Sequence, residues 1–225
     1  EAVRIATKYM VPVILLSDGY LANGAEPWRL PERADQLPDI PVAFHTDPKD
    51  FKPYRRDAAT LARPWVKPGT AGLEHRIGGL EKQDVTGNVS YDAANHQRMV
   101  LLRQEKVQRV VADVPDVKVF GPERGDLLVV GWGSTYGAIH AAVRLAQADG
   151  LSVAQAHLRH LNPFPANLGD VLGRYKHVLC PEMNTGQLRL LLRARYLADV
   201  QGLNKIEGQP FRIREILTRI QEMAR

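Results

Sequence analysis

Asp126-Leu127-Leu128-Val129-Val130-Gly131-Trp132-Gly133-Ser134-Thr135 is the stretch whose reading decides the fold. Its apolar run is continuous rather than alternating, so the strand it predicts is covered on both faces, as strands of parallel sheets are. The run breaks at two glycines, and a helix is predicted over 136–148, closed by Asp149-Gly150. The same alternation repeats downstream: a strand over 151–157, a short helix over 167–174, a strand over 177–180 stopping at Pro181-Glu182, and a helix over 186–200. Leu188, Leu191, Leu192 and Leu197 are expected to face inward on that helix. Residues 205–207 read as a short last strand, and Ile213, Ile216, Leu217 and Ile220 form the apolar stripe of a final helix. Strands alternating with helices predict an α/β domain built on a small parallel sheet.

Upstream, Ser90-Tyr91-Asp92 offers caps for a long helix whose stripe is Met99, Leu102, Val107, Val110 and Val111. Before it, eight of the fifteen prolines (27, 31, 38, 41, 48, 53, 64 and 68) fall between Pro27 and Pro68. Proline lacks an amide donor and disfavours helix in its predecessor, so this stretch is expected to be an irregular connection. Residues 2–10 read as helix, and Pro12 followed by Val13, Ile14, Leu15 and Leu16 reads as a buried strand ending at Ser17-Asp18-Gly19. A lone helix and strand cannot form a domain, so residues 1–24 are expected to be the tail of an α/β domain in a longer polypeptide that begins before Glu1.

The 225 residues are 44% hydrophobic and 24% charged, which excludes disordered and fibrous classes. No apolar run approaches the roughly 20 residues of a membrane span, so a soluble protein is expected. The formal charge of +5 and the pI near 9.4 leave a basic partner surface open, yet aromatics at 7% and the lack of a recognition motif argue against nucleic acid. A single cysteine, Cys180, excludes an internal disulfide and a cysteine-held zinc or iron–sulfur site, and points to a reducing, cytoplasmic setting.

Candidate chemistry lies in four places. Gly131, Gly133, Ser134 and Thr135 precede a helix N-terminus, where free amides favour a phosphate or carboxylate. The alternative is a tight turn capped by Ser134 or Thr135. The dinucleotide pattern is incomplete, because Tyr136 stands where it needs glycine. His75 and Arg76, in a loop with Gly78 and Gly79, would bind an oxyanion or another subunit, or be held against the sheet. His160 with Asn162, and Glu182 with Asn184, lie beyond carboxyl ends of predicted strands, where open α/β sheets place ligands. No nucleophile, base and orienter assemble from the sequence, so no catalytic residue and no metal ligand is assigned. His45, His96, His140, His157 and His177 lack metal-ligand spacing, and Arg189 with Arg193, four apart on one helix face, would meet phosphates or, as is commoner, form a solvated face.

Ser17-Asp18-Gly19-Tyr20-Leu21, His75-Arg76-Ile77-Gly78-Gly79-Leu80-Glu81, Asn95-His96-Gln97-Arg98-Met99, Gly131-Trp132-Gly133-Ser134-Thr135, His160-Leu161-Asn162-Pro163-Phe164-Pro165 and Pro181-Glu182-Met183-Asn184-Thr185-Gly186-Gln187-Leu188 together resemble the C-terminal part of the α subunit of 2-oxoacid:ferredoxin oxidoreductases, of the 2-oxoglutarate type. The resemblance runs over essentially the whole chain. It implies residues 1–24 as the tail of a pyrimidine-binding thiamine domain, 25–120 as a connection with a long helix, and 121–225 as a three-layer domain resembling the transketolase C-terminal domain. The implied reaction is decarboxylation of a 2-oxoacid on thiamine diphosphate, with electrons passing through a 4Fe-4S cluster to ferredoxin and the acyl group to coenzyme A. It implies that the diphosphate, its Mg and the cluster sit mainly on a partner β subunit, none being bound by this segment alone, in a complex of two α and two β chains. The segment itself is then expected to serve assembly and to shape the site. A pyruvate or branched-chain 2-oxoacid enzyme, a lipoyl-linked dehydrogenase component and a basic α/β interaction module remain as alternatives.

Overall fold

A computed structural model describes residues 1–37 and 39–224; Pro38 of the proline-rich stretch lies outside the described residues. The chain divides into two compact units, one of residues 1–15 and 27–113, the other of residues 16–26 and 114–225.

The first unit opens with α1 (Ala2–Tyr9), which buries Ile5 and Tyr9 and ends where Met10 adopts φ 51°. The strand expected at Pro12–Leu16 is not formed. A strand needs a neighbour to take up its amides and carbonyls, and among the described residues none pairs with this segment; Ile14 and Leu15 are 82% and 83% exposed. The proline-rich connection is irregular, as expected, with isolated bridges between Phe44 and Trp65, Tyr54 and Val85, and Lys82 and Val89. It leads to the one long helix of this unit, α3 (Ala93–Arg109), where the Asp92 carboxylate accepts from the Asn95 amide at 2.8 Å. Met99 and Val110 of the expected stripe are buried, and so is Lys106.

Leu61, Ala62 and Leu73 are also buried in this unit, and ionic contacts tie its segments together. Asp84 receives both Arg56 and Arg98, the latter at 2.6 Å, and Asp113 receives Arg4 at 3.1 Å and Lys8 at 2.7 Å. The Lys82 ammonium donates to the carbonyls of Gly78 and Leu80.

The second unit holds a short helix, α2 (Gly19–Ala22), and a five-stranded sheet ordered β1-β3-β2-β4-β5. Its strands are β1 (Val119–Phe120), β2 (Gly125–Trp132), β3 (Val153–Leu158), β4 (Tyr175–Glu182) and β5 (Val200–Asn204). β2 pairs in parallel with β3 and β4, and β4 in parallel with β5, so the parallel sheet is as expected. The two-residue β1 adds an antiparallel edge on β3, Val119 opposite Ala156.

Helices cover both faces. On one, α5 (Leu168–Leu172) and α6 (Gln187–Tyr196) pack on Leu128, Val130, Val178 and Cys180. On the other, α4 (Tyr136–Ala148) and α7 (Ile213–Met223) pack on Leu127, Val129 and Leu179. Full burial of each such leucine contributes about 2 kcal/mol, which is why the continuous apolar run specifies a central strand.

Two details differ from the sequence expectation. Leu197 reverses the chain at φ 52° and stands 92% exposed, and Leu191 is 51% exposed, so only Leu188 and Leu192 face the core. The helix therefore ends at Tyr196, and the last strand runs over Val200–Asn204 rather than 205–207. Lys205 then serves as a tether, its ammonium 2.9 Å from Glu215 and 3.2 Å from the Pro210 carbonyl.

Candidate functional site at the carboxyl ends of the central strands

The chain leaves β2 toward β3 on one side and returns to β4 on the other, so the carboxyl ends of β2 and β4 flank the topological switch point, where open sheets receive ligands. Gly131 ends the buried part of β2. A Cβ there would meet Ile139 Cδ1 at 2.3 Å and Thr135 Oγ1 at 2.8 Å, so the close approach of strand and helix requires glycine. Gly133 turns the chain at φ 57°. The Thr135 hydroxyl donates to the Trp132 carbonyl at 2.8 Å and accepts from the Trp132 amide at 3.2 Å. Thr135 thus closes the turn, and an anion sits beside it.

That anion is the chain's own. Ser134 donates its hydroxyl to the Asp18 carboxylate, whose other oxygen accepts from the Leu21 amide at 2.9 Å and so caps α2. The Ser134 hydroxyl, then the Leu21 amide, hold the Asp18 carboxyl below the usual carboxylate range. Nothing local in the sequence links Asp18 to Ser134, a residue 116 positions away. Asp18, Leu21, Glu26, Met183 and Pro210 help line a cavity of about 910 Å³ on this side of the unit.

Across the switch point, Glu182 is fully buried and accepts from the Leu188 amide at 2.8 Å and the Arg189 amide at 2.9 Å. Asn184 accepts from the Gly186 amide at 2.7 Å. In this structure, then, both side chains satisfy amides at and just before the start of α6, amides that would otherwise be unpartnered. Burial, with the Glu182 charge beside it, pushes the Cys180 thiol up and leaves it an inert apolar side chain.

The remaining sequence candidates sit elsewhere. His160, half-buried, lines a second cavity beyond β3, and Asn162 is exposed before a cis bond to Pro163. His75 and Arg76 belong to the first unit. The His75 ring places Nδ1 2.7 Å from the Leu73 carbonyl and its edge on Phe51, while Arg76 is exposed. The loop after them wraps the buried Lys82, and Glu81 holds Arg103 at 3.1 Å and His96 at 2.9 Å.

Among the described residues no three His, Cys, Asp or Glu side chains converge to hold a metal ion. With one cysteine in the sequence, this chain offers no four-cysteine ligand set for an iron–sulfur cluster. No helix of the described residues is long and apolar enough to cross a membrane.

Comparison with known proteins places this architecture. The pyruvate:ferredoxin oxidoreductase core domain II matches residues 125–216, and the thiamine diphosphate-binding domain of pyruvate flavodoxin/ferredoxin oxidoreductases matches residues 1–94. The 2-oxoglutarate oxidoreductase subunit KorA of Mycobacterium tuberculosis is 54% identical over 96% of this chain and 33% of its own length. Subunit alpha of 2-oxoacid:ferredoxin oxidoreductase 1 of Aeropyrum pernix is 29% identical over 78% of this chain and 28% of its own. The 2-oxoglutarate:ferredoxin oxidoreductase from Magnetococcus marinus, solved with 2-oxoglutarate, coenzyme A and succinyl-CoA bound, superposes with a TM-score of 0.86 at 30% identity, over 99% of this chain and 39% of that one. The chain thus spans about a third of the length of these relatives. With its sheet order, its two helical layers and these likenesses together, the chain belongs to the α subunits of the 2-oxoacid:ferredoxin oxidoreductases.

Proposed function

We propose that the chain is the C-terminal part of the α subunit of a cytoplasmic 2-oxoglutarate:ferredoxin oxidoreductase, which converts a 2-oxoacid to its acyl-CoA and reduces ferredoxin. The observation that carries the reading is the 54% identity with the mycobacterial 2-oxoglutarate subunit along nearly all of this chain. In it, residues 1–24 close a pyrimidine-binding thiamine domain, 25–120 connect, and 121–225 form the transketolase C-terminal-like domain. Thiamine diphosphate with Mg and a 4Fe-4S cluster belong mainly to a partner β chain, in an assembly of two α and two β chains. Thiamine diphosphate supplies the stabilised carbanion that decarboxylation needs.

The work of this segment is then positional. Asp18 and Ser134 fix residues 16–26 at the carboxyl end of β2, and Glu182 with Asn184 anchor α6 beside them. His75, Arg76, His160 and Asn162 are the side chains proposed for contacts with ligand or partner chain.

The test is to purify the intact enzyme with both chains and to follow reduction of ferredoxin or a viologen dye. Reduction requiring 2-oxoglutarate, coenzyme A, thiamine diphosphate and both chains supports the reading. A pure, cofactor-loaded complex inert with 2-oxoglutarate, pyruvate and branched-chain 2-oxoacids overturns it, and turnover of pyruvate alone overturns the 2-oxoglutarate assignment.

A further inference from the structure

A second cavity, of about 510 Å³, opens in the second unit on the far side of β3 from the switch point. That volume lies within the range of about 300–1,000 Å³ typical of small-molecule sites. One wall is the antiparallel edge strand β1 with the residues before it, and another is the start of α4.

Its lining has two characters. The first is aromatic. Phe120 and Tyr136 are 40% and 50% exposed, although both are ordered by contacts beneath them. The Tyr136 ring stacks on His140 at 5.5 Å and 13° and takes the edge of His157 at 5.0 Å, while Phe120 lies 4.3 Å from His140. The stack is pinned from below, since His140 Nδ1 is 2.9 Å from the side-chain oxygen of the buried Gln155. The second character is cationic and polar. Lys118 lines the cavity and forms no ion pair among the described residues; Arg159 lines it too, with Asp116 the one carboxylate. Burial, then the Arg159 charge, lowers the pKa of the His157 imidazole, and its Nδ1 is buried without a partner.

No simple ligand meets both characters. A hydrocarbon would cover the rings and leave Lys118 and His157 Nδ1 unanswered, and an inorganic anion would answer the cation and leave the rings wet. A planar heteroaromatic base carrying a phosphate meets both: the base extends the His140–Tyr136 stack, and the phosphate reaches Lys118. We propose that this cleft is a binding site for a nucleoside phosphate.

The inference goes beyond the 2-oxoacid reaction and is tested by binding, so the two stand or fall separately. Calorimetric titration of the intact protein with ADP, adenosine and inorganic phosphate is the first arm. The expected result is ADP binding tighter than either of its parts. Tyr136→Ala should weaken ADP about tenfold, and Tyr136→Phe, which keeps the ring, should not. Lys118→Gln, a change at an exposed side chain, should weaken ADP, leave adenosine unchanged and flatten the salt dependence. Coenzyme A carries the same chemistry but is the acceptor of the 2-oxoacid reaction: coenzyme A binding tighter than ADP and weakened by Tyr136→Ala gives the cleft to that acceptor and overturns the proposal, and weaker binding supports a free nucleotide. ADP binding no tighter than phosphate, or indifferent to both Tyr136→Ala and Lys118→Gln, overturns the proposal.

Discussion

Leu127, Leu128, Val129 and Val130 are fully buried on alternate faces of the second unit's sheet. In the first unit the buried residues include two lysines, Lys82 and Lys106, which sit among carbonyls and guanidinium groups. The difference follows from sequence. A continuous apolar run between two helices can close two hydrophobic layers, whereas a proline-rich connection lacks the periodicity to do so and is tied down by side-chain charges. The second unit should therefore respond to volume, and the first to salt and pH.

The largest effect is expected from Leu128→Ala, which opens a cavity under α5 and α6 and should cost about 2–5 kcal/mol. Hydrogen exchange resolved by segment should show the loss across β2, β3 and β4, with no change in α3. Exchange that rises equally in both units would erase the comparison.

Next comes Asp84→Asn, which leaves the 9%-exposed Arg56 side chain without its carboxylate. A cost of about 3 kcal/mol is expected, confined to the first unit. Raising salt should lower the unfolding midpoint of the wild-type first unit more than that of the second, and the variant should lose part of that sensitivity.

Ser134→Ala removes one hydrogen bond to a carboxylate and should cost about 1–2 kcal/mol. Its signature is local: faster exchange over residues 16–26, and an Asp18 carboxyl titrating nearer the ordinary range by NMR. Unchanged exchange there would mean that the contact does not hold the segment.

The subtlest effect is a slope. Burial, then the charges of Arg56 and Arg63, lower Lys106 from 10.5 to about 8. Between those values the unfolded chain binds the proton that the folded chain has released, so stability of the first unit should rise as pH climbs from about 8 toward 10.5. Lys106→Met should flatten that rise, and a rise that survives the substitution would place its origin elsewhere.

Much of the second unit was legible because its signals are local. The apolar run, the paired glycines and the three-to-four-residue stripes each announce one element within a dozen residues. What failed was long-range. Residues 12–16 have the composition of a buried strand, but composition does not supply a neighbouring strand. Val119 and Phe120 form an edge strand too short to show any period. Glu182 and Asn184 stand where open sheets place ligands, and the fold also turns them onto amides two to seven positions ahead, a local contact that residue type alone does not announce. The strand ends were predictable as local elements, and the carboxylate that meets Ser134 there, 116 positions away, was not.

Asp18 behaves toward the second unit as a tethered ligand does toward its receptor. Residues 16–26 enter that unit and leave it within eleven positions, with neighbours on both sides that belong to the first unit. Their occupancy is therefore governed by the high effective concentration that a covalent tether imposes, not by the intrinsic strength of a single carboxylate contact. A weak contact suffices while the chain is continuous, and the same contact would become a measurable, concentration-dependent equilibrium once the peptide bonds flanking the segment were cut.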